Sequence, residues 1–198
     1  MTKILMVVIA AYFLGNFSPS YLLGKIFKGE DIREKGSKNA GSTNALRVFG
    51  KKIAIVTFIL DIVKGVLAVW IGKRLFGMDG AYLAGLFVVI GHNWPILLGF
   101  RGGKGIATTI GVMIAIQPLY FLISCLAGVA VIYITRYVSL GSITIVTLLP
   151  ICALIFNRPF DGDLFSLCAM LAIMGIYQHR KNIERLRNGN ENKLKSKK

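Results

Sequence analysis

The chain has 198 residues, 55% of them hydrophobic, with a mean hydropathy of +0.64 and a net charge of +15. That is more apolar surface than one soluble core needs, and it comes in long blocks with few charges, which excludes an ordinary soluble domain and points to an all-α polytopic membrane protein. The cations lie in segments flanking the apolar blocks and in the tail rather than on a soluble basic face, so membrane lipid and an anionic substrate, rather than nucleic acid, are the expected partners.

A helix crossing a hydrocarbon core of about 30 Å needs about 20 apolar residues, fewer where a bundle interior shortens the path. The first expected span, Ile4 to Leu23, follows the single charge of Lys3 and reads as an uncleaved span rather than a signal peptide, because the next apolar block comes only after a polar loop. That loop holds GSKNAGSTNALR, Gly36 to Arg47. Its glycines allow close backbone approach, Ser37, Asn39, Ser42, Thr43 and Asn44 offer hydrogen bonds, and Arg47 is suited to gripping phosphate through two nitrogens. A polar turn capping an interfacial helix would use the same residue types. The second span, Ile53 to Ile71, contains Asp61 and Lys64 on one helix face, an arrangement that is costly inside a membrane unless buried and partnered; it reads as a structural pair or as a direct participant in chemistry.

The third span, Ala81 to Leu98, carries His92, Asn93, Trp94 and Pro95 toward its end. His92 is either a histidine bonded to helix backbone or a base within reach of an acceptor hydroxyl; no acid in the sequence is evidently placed to back it. GFRGGKG, Gly99 to Gly105, follows and opens a helix, whose first amides and dipole favour an anion. It is not a Walker loop, because Gly105 stands after Lys104 where that pattern requires Ser or Thr. Gly102 and Gly103 are read as the phosphate-facing backbone and Lys104 as its cation. The short fourth span, Ile106 to Ile116, is separated from the fifth, Leu119 to Thr135, by Gln117 and Pro118 without a charge, so the pair could also be a re-entrant hairpin or one bent span.

RYVSLGS, Arg136 to Ser142, precedes the sixth span, Ile143 to Phe156, and puts Ser142 where a helix N-cap is expected, with substrate binding as the other reading. After the seventh span, Leu164 to Tyr177, HRKNIERLRNGNENK reads as a basic interfacial helix bearing His179 and Asn182 on one stripe with Ile183 and Leu186. His179 to Glu184 also mimics, weakly, the HxxxxD pattern of acyl-CoA and acyl-carrier-protein glycerolipid acyltransferases, with Glu in place of Asp. Residues 190–198 are expected to form a flexible basic tail of a single domain, 1–198. Cys125, Cys152 and Cys168 are isolated in apolar blocks and read as core residues, and with only two histidines, no cysteine cluster and few acids no metal is expected.

Lysines and arginines mark the cytoplasmic side. With the amino terminus outside and seven spans, 19 of the 24 fall on the cytoplasmic segments and only Lys3, Lys73, Arg74 and Arg158 fall outside, so all three polar clusters share one face. A six-span count would split the two most basic segments between opposite faces.

In this order, GSKNAGSTNALRVFGK, DIVKG, GHNWPILLGFRGGKGIAT, RYVSLGS and HRKNIERL resemble the bacterial acyl-phosphate:glycerol-3-phosphate acyltransferase family, through nearly the whole chain. The resemblance implies a seven-span inner-membrane enzyme, without cofactor and monomeric, that moves an acyl group from acyl phosphate to the 1-hydroxyl of sn-glycerol 3-phosphate, releasing lysophosphatidate and phosphate. It implies phosphate and glycerol-3-phosphate contacts from Ser37, Arg47, Lys104, Ser142, His179 and Asn182. Lys104, Arg47, Ser142 and His92 are then the expected catalytic set, and Ser37, Asn39, Thr43, Asn44, Gly102, Gly103, His179 and Asn182 the binding set. The family's first motif usually has glycine where this chain has Lys38. Since an acyl phosphate is already activated, transfer needs no acyl-enzyme, and the leaving phosphate, His92 or His179 could take the hydroxyl proton; the phosphate is favoured. The competing class is a carrier of a phosphorylated metabolite, for which polar residues deep in several spans and internal repeats would be expected.

Overall fold

A computed structural model describes residues 2–194. Among them every regular element is helical, and the helices group into two compact units, Met1–Ile116 and Gln117–Lys198.

In the first unit, α1 (Thr2–Asn16) and α2 (Pro19–Lys28) occupy the stretch expected to be one span. The break is local chemistry: Ser18 is extended, as a residue before proline prefers, and Pro19 starts the next helix at a position that needs no N–H. α2 ends on Gly29 in the left-handed conformation. α3 (Ser42–Val48) lies within the first polar loop, and α4 (Lys51–Asn93) covers the second and third expected spans. Non-helical angles at Phe76 and Gly77 divide α4 into two rods, and a tight approach of Gly72 to the Gly80 carbonyl folds one rod against the other. The third expected span stops at Asn93 rather than Leu98, because Pro95 excludes the helical continuation and only a short 3-10 turn, Ile96–Leu98, follows. α5 (Ile106–Ile116) completes the unit.

Small residues set this packing. α1 reaches α4 where Gly15 meets Gly91 and the Val88 carbonyl, and α5 reaches α4 where Gly65 and Gly111 let backbones touch. Close backbone approach through glycine is the usual device of helices that gain nothing from hydrophobic exclusion in lipid. Val7, Ala11, Ala68, Ala84 and Val88 fill the interior, while Leu5, Phe13, Ile59 and Trp70 point outward.

The second unit holds α6 (Pro118–Thr135), α7 (Val138–Phe156), α8 (Gly162–Gln178) and α9 (Arg180–Arg187). Gly128 and Gly141 form the α6–α7 contact, and Val146 packs on Gly175 between α7 and α8. Asp161 caps α8 by accepting from the amides of Asp163 and Leu164, at 2.9 and 3.0 Å. Cys152 and Cys168 are buried as expected of core residues, and Cys125 is half-buried. Four helical stretches, Thr2–Lys28, Lys51–Leu98, Pro118–Thr135 and Val138–Phe156, are long and apolar enough to cross a membrane; Ile106–Ile116 and Gly162–Gln178 are shorter apolar helices.

Candidate active site

The polar loop before α4 is built on one side chain. Asn44, on α3, is 2% exposed; its Nδ2 donates to the carbonyls of Ile32, Lys35 and Asn39 at 3.0–3.1 Å, and its Oδ1 accepts from the Ser37 amide at 2.8 Å. Asn44, a member of the expected binding set, holds the loop: its two N–H groups are shared among three carbonyls. Ser37 and Lys38 are thereby turned outward, Asn39 and Thr43 are half-buried, and Arg47 is exposed on the last turn of α3. Lys38 adopts φ +58°, the left-handed conformation that the usual glycine would take freely.

This loop is tied to the second motif. Arg33 is paired with Asp31 at 2.7 Å and also donates through Nη1 to the Leu98 carbonyl at 2.7 Å. The hydrogen bonds from Arg33 hold the Asp31 carboxyl below the usual carboxylate range, against the opposing effect of its partial burial. The Ala40 amide donates to the Gly102 carbonyl at 3.3 Å, and the Gly103 amide to the His92 carbonyl at 3.0 Å. Glycine is required at both positions, because a Cβ on Gly102 would strike the His92 carbonyl oxygen and one on Gly103 would strike His92 Nε2. The segment 101–105 thus lies flat on the end of α4, delivering a half-buried Lys104 at its far side.

Behind it is a buried charge cluster. Lys64 Nζ lies 2.8 Å from Asp61 Oδ1 and 2.7 Å from His92 Nδ1, and donates to the Phe17 and Gly15 carbonyls at 2.8 and 3.3 Å. His92 Nδ1 is also 3.3 Å from Asp61 Oδ1. Against the expectation that no acid is placed near His92, Asp61, three residues before Lys64 and paired with it, comes within 3.3 Å of Nδ1 across the fold of α4. Asn93 is missing from the expected set, yet its side-chain oxygen and nitrogen are both buried without a hydrogen-bond partner, beside Gly105. A buried amide left so costs about 1–3 kcal/mol, and its only sequence signal was its place next to His92.

In the second unit, Ser142 is not a cap. α7 begins at Val138 with Tyr137 as its N-cap, which puts Ser142 in the second turn, half-buried. The buried serine is Ser139, whose Oγ donates to Glu191 Oε1 at 3.0 Å. The same oxygen accepts from Asn182 Nδ2 at 2.8 Å, and Oε2 accepts from Arg185 Nε at 2.7 Å. Burial raises the affinity of Glu191 for a proton, but hydrogen bonds from Asn182, Arg185 and Ser139 outweigh it and hold the carboxyl below its ordinary value. Instead of a loose tail, residues 190–194 are held by this network and by the Leu194 amide, which donates to the Arg136 carbonyl at 2.8 Å; residues 195–198 lie outside the described residues. His179 is buried between α8 and α9, with Nδ1 at 2.8 Å from the Gly175 carbonyl. A carbonyl only accepts, so Nδ1 carries the proton in that bond. Glu184 is exposed on α9.

The family model for glycerol-3-phosphate acyltransferase matches residues 5–189. Glycerol-3-phosphate acyltransferase of Alkaliphilus metalliredigens is 50% identical over 96% of this chain and 95% of its own, and that of Clostridioides difficile is 45% identical over 98% and 97%. Crystal structures of PlsY, an integral membrane glycerol 3-phosphate acyltransferase, in its glycerol 3-phosphate and lysophosphatidic acid forms are both 36% identical over 97% of this chain and 96% and 95% of theirs, with TM-scores of 0.90 and 0.86. With the motifs, the helical membrane architecture and these matches agreeing along almost the entire length, the chain belongs to the glycerol-3-phosphate acyltransferase family.

Proposed function

We propose that the protein transfers a fatty acyl group from acyl phosphate to the 1-hydroxyl of sn-glycerol 3-phosphate. The observation that carries this reading is the glycine segment 102–103 pressed on the end of α4 with Lys104 beside it, in a chain whose relatives act on glycerol 3-phosphate. The hydroxyl oxygen adds to the acyl carbon, the bond from that carbon to the phosphate oxygen breaks, and the departing phosphate takes the hydroxyl proton, leaving lysophosphatidate and phosphate. No acyl-enzyme or cofactor enters, so the protein's task is to hold two anionic substrates together against their repulsion. Lys104 and Arg47 supply positive charge, with Gly102 and Gly103 as the phosphate-facing backbone. Ser37, Asn39 and Thr43 contribute polar contacts from the first loop. Ser142, His179 and Asn182 take the substrate contacts that the family motifs imply; for Asn182 the support is that Glu191 fixes its amide.

The same reading has seven spans, the amino terminus outside and the motifs on the cytoplasmic face of the inner membrane, supported by the asymmetry of lysine and arginine along the sequence. The working unit is a monomer.

The test is product formation by purified, detergent-solubilised protein given glycerol 3-phosphate with palmitoyl phosphate or with palmitoyl-CoA, and Lys104→Ala alongside. Lysophosphatidate from palmitoyl phosphate only, lost in Lys104→Ala, is the expected result. Activity confined to palmitoyl-CoA refutes the donor, and folded protein inactive with both supports a carrier instead.

A further inference from the structure

Among the described residues of the first unit, Asp61, Lys64 and His92 are the buried ionisable side chains, and acyl transfer as set out above uses none of them. Their geometry decides what His92 is able to do. A charged lysine has three N–H donors and no lone pair. Lys64 Nζ has three short neighbours, His92 Nδ1 at 2.7 Å, Asp61 Oδ1 at 2.8 Å and the Phe17 carbonyl at 2.8 Å. An N–H on Nδ1 would meet an N–H of charged Lys64 head-on at 2.7 Å; this contact is shorter than the 3.3 Å to Asp61 Oδ1, whose own closer partner is Lys64 at 2.8 Å, so Nδ1 is the acceptor and Asp61 acts by keeping Lys64 a donor. A neutral imidazole carries one proton, and it therefore resides on Nε2. Nε2 is the ring atom that faces Gly103, the residue before Lys104, and the Gly103 amide is bonded to the His92 carbonyl at 3.0 Å. Ring and backbone of one histidine thus meet the start of the phosphate-binding segment, and the ring presents a hydrogen rather than a lone pair.

We propose that His92 acts as a neutral hydrogen-bond donor, through Nε2, to the acyl-phosphate oxygen that gains charge, and that Lys64 and Asp61 are positioning residues that fix its tautomer. The proposal rests on the acyl-transfer reading and assigns the role of one residue within it. As the glycerol hydroxyl adds to the acyl carbon, the carbonyl oxygen becomes an oxyanion and receives the Nε2 hydrogen bond. The carbon to phosphate-oxygen bond then breaks, the hydroxyl proton leaves with phosphate, and His92 keeps its own proton throughout. A histidine held neutral as an electrophile in this way is an established catalytic device.

Two measurements test it. With only two histidines in the chain, nitrogen NMR of histidine-labelled protein, assigned by comparison with His92→Gln, reads the tautomer directly and independently of turnover. The expected spectrum has a pyridine-type Nδ1 and a pyrrole-type Nε2 for His92; the reverse pattern, or a fully protonated ring at neutral pH, overturns the proposal. In the acyl phosphate assay, His92→Ala is expected to lose about 10²-fold in kcat, the usual cost of one oxyanion donor, with the KM for glycerol 3-phosphate unchanged. His92→Gln, whose side-chain nitrogen donates from a similar place but has no basicity, is expected to recover most of that loss and to keep the wild-type pH profile. A glutamine variant as poor as alanine, with the acidic limb of the profile gone, makes His92 the base and overturns the proposal. Wild-type protein that fails to use acyl phosphate while showing the expected tautomer overturns the catalytic role and the proposed function together, and leaves only the lock by Lys64.

Discussion

Replacing Asn44 separates a loop-holding residue from a phosphate ligand. Its amide makes three effective hydrogen bonds, two through Nδ2 shared over the carbonyls of Ile32, Lys35 and Asn39 and one to the Ser37 amide. At about 1 kcal/mol net for each, Asn44→Ala should loosen the loop by about 3 kcal/mol, equivalent to about two orders of magnitude in the equilibrium for local opening. Asn44→Asp is the sharper variant. It keeps the acceptor for Ser37 but turns a carboxylate toward three carbonyl oxygens in a site that is 2% exposed, so it should be worse than alanine. The assay is hydrogen exchange at the Ser37 amide in detergent, with glycerol 3-phosphate kinetics on the same samples. Faster exchange in the order wild type, alanine, aspartate, with KM rising in parallel, is expected. Unchanged Ser37 protection in an alanine variant that has lost substrate affinity would refute the reasoning and return Asn44 to the binding set.

Gly102→Ala and Gly103→Ala should both lower activity, and Gly102→Ala more severely, because its new methyl meets the fixed His92 carbonyl whereas that of Gly103 meets a side chain; kcat/KM of the two variants decides. Glu191→Ala should leave Asn182, Ser139 and Arg185 without their common acceptor and lower the thermal unfolding midpoint, with Glu191→Gln intermediate. Because the folded-state carboxyl is held below its unfolded value, the stabilisation from Glu191 is complete at neutral pH and is lost as pH falls through the ordinary glutamate range toward that lower value; Glu191→Gln should flatten this part of the stability profile. Lys38→Gly removes a left-handed lysine, worth about 1–2 kcal/mol, against about 0.5–1 kcal/mol of added chain entropy, so a small rise in the unfolding midpoint is expected and a fall would show that the lysine side chain contributes to the loop.

The apolar blocks were legible because bilayer-length hydrophobic runs have few alternatives, and α6 and α8 fall close to where they were expected. The breaks were less so, although Pro19 and Pro95 stand where the expected first and third spans fail. Ser142 was misread because Val138 and Ser139 continue α7 upstream, and nothing in RYVSLGS distinguishes which serine begins the helix. The link of Asp61 to His92 depends on α4 folding back at Phe76 and Gly77, a tertiary event that no local spacing encodes. Glu191 was hidden for a different reason: an acid among lysines reads as part of a solvated tail, and only the three donors gathered around it reveal a buried anchor.

The lysine that bonds the Gly15 and Phe17 carbonyls, where α1 ends, also dictates an order of assembly during synthesis. Gly15 and Phe17 emerge from the ribosome well before Lys64, and Lys64 well before His92. Until the second rod of α4 has been made and has turned back, a nascent chain carries a lysine and an aspartate in apolar surroundings with one neighbour still missing. Chains that stall between residues 64 and 92 therefore hold an ion pair without its full set of partners, and completion of the second rod of α4 supplies the last of them.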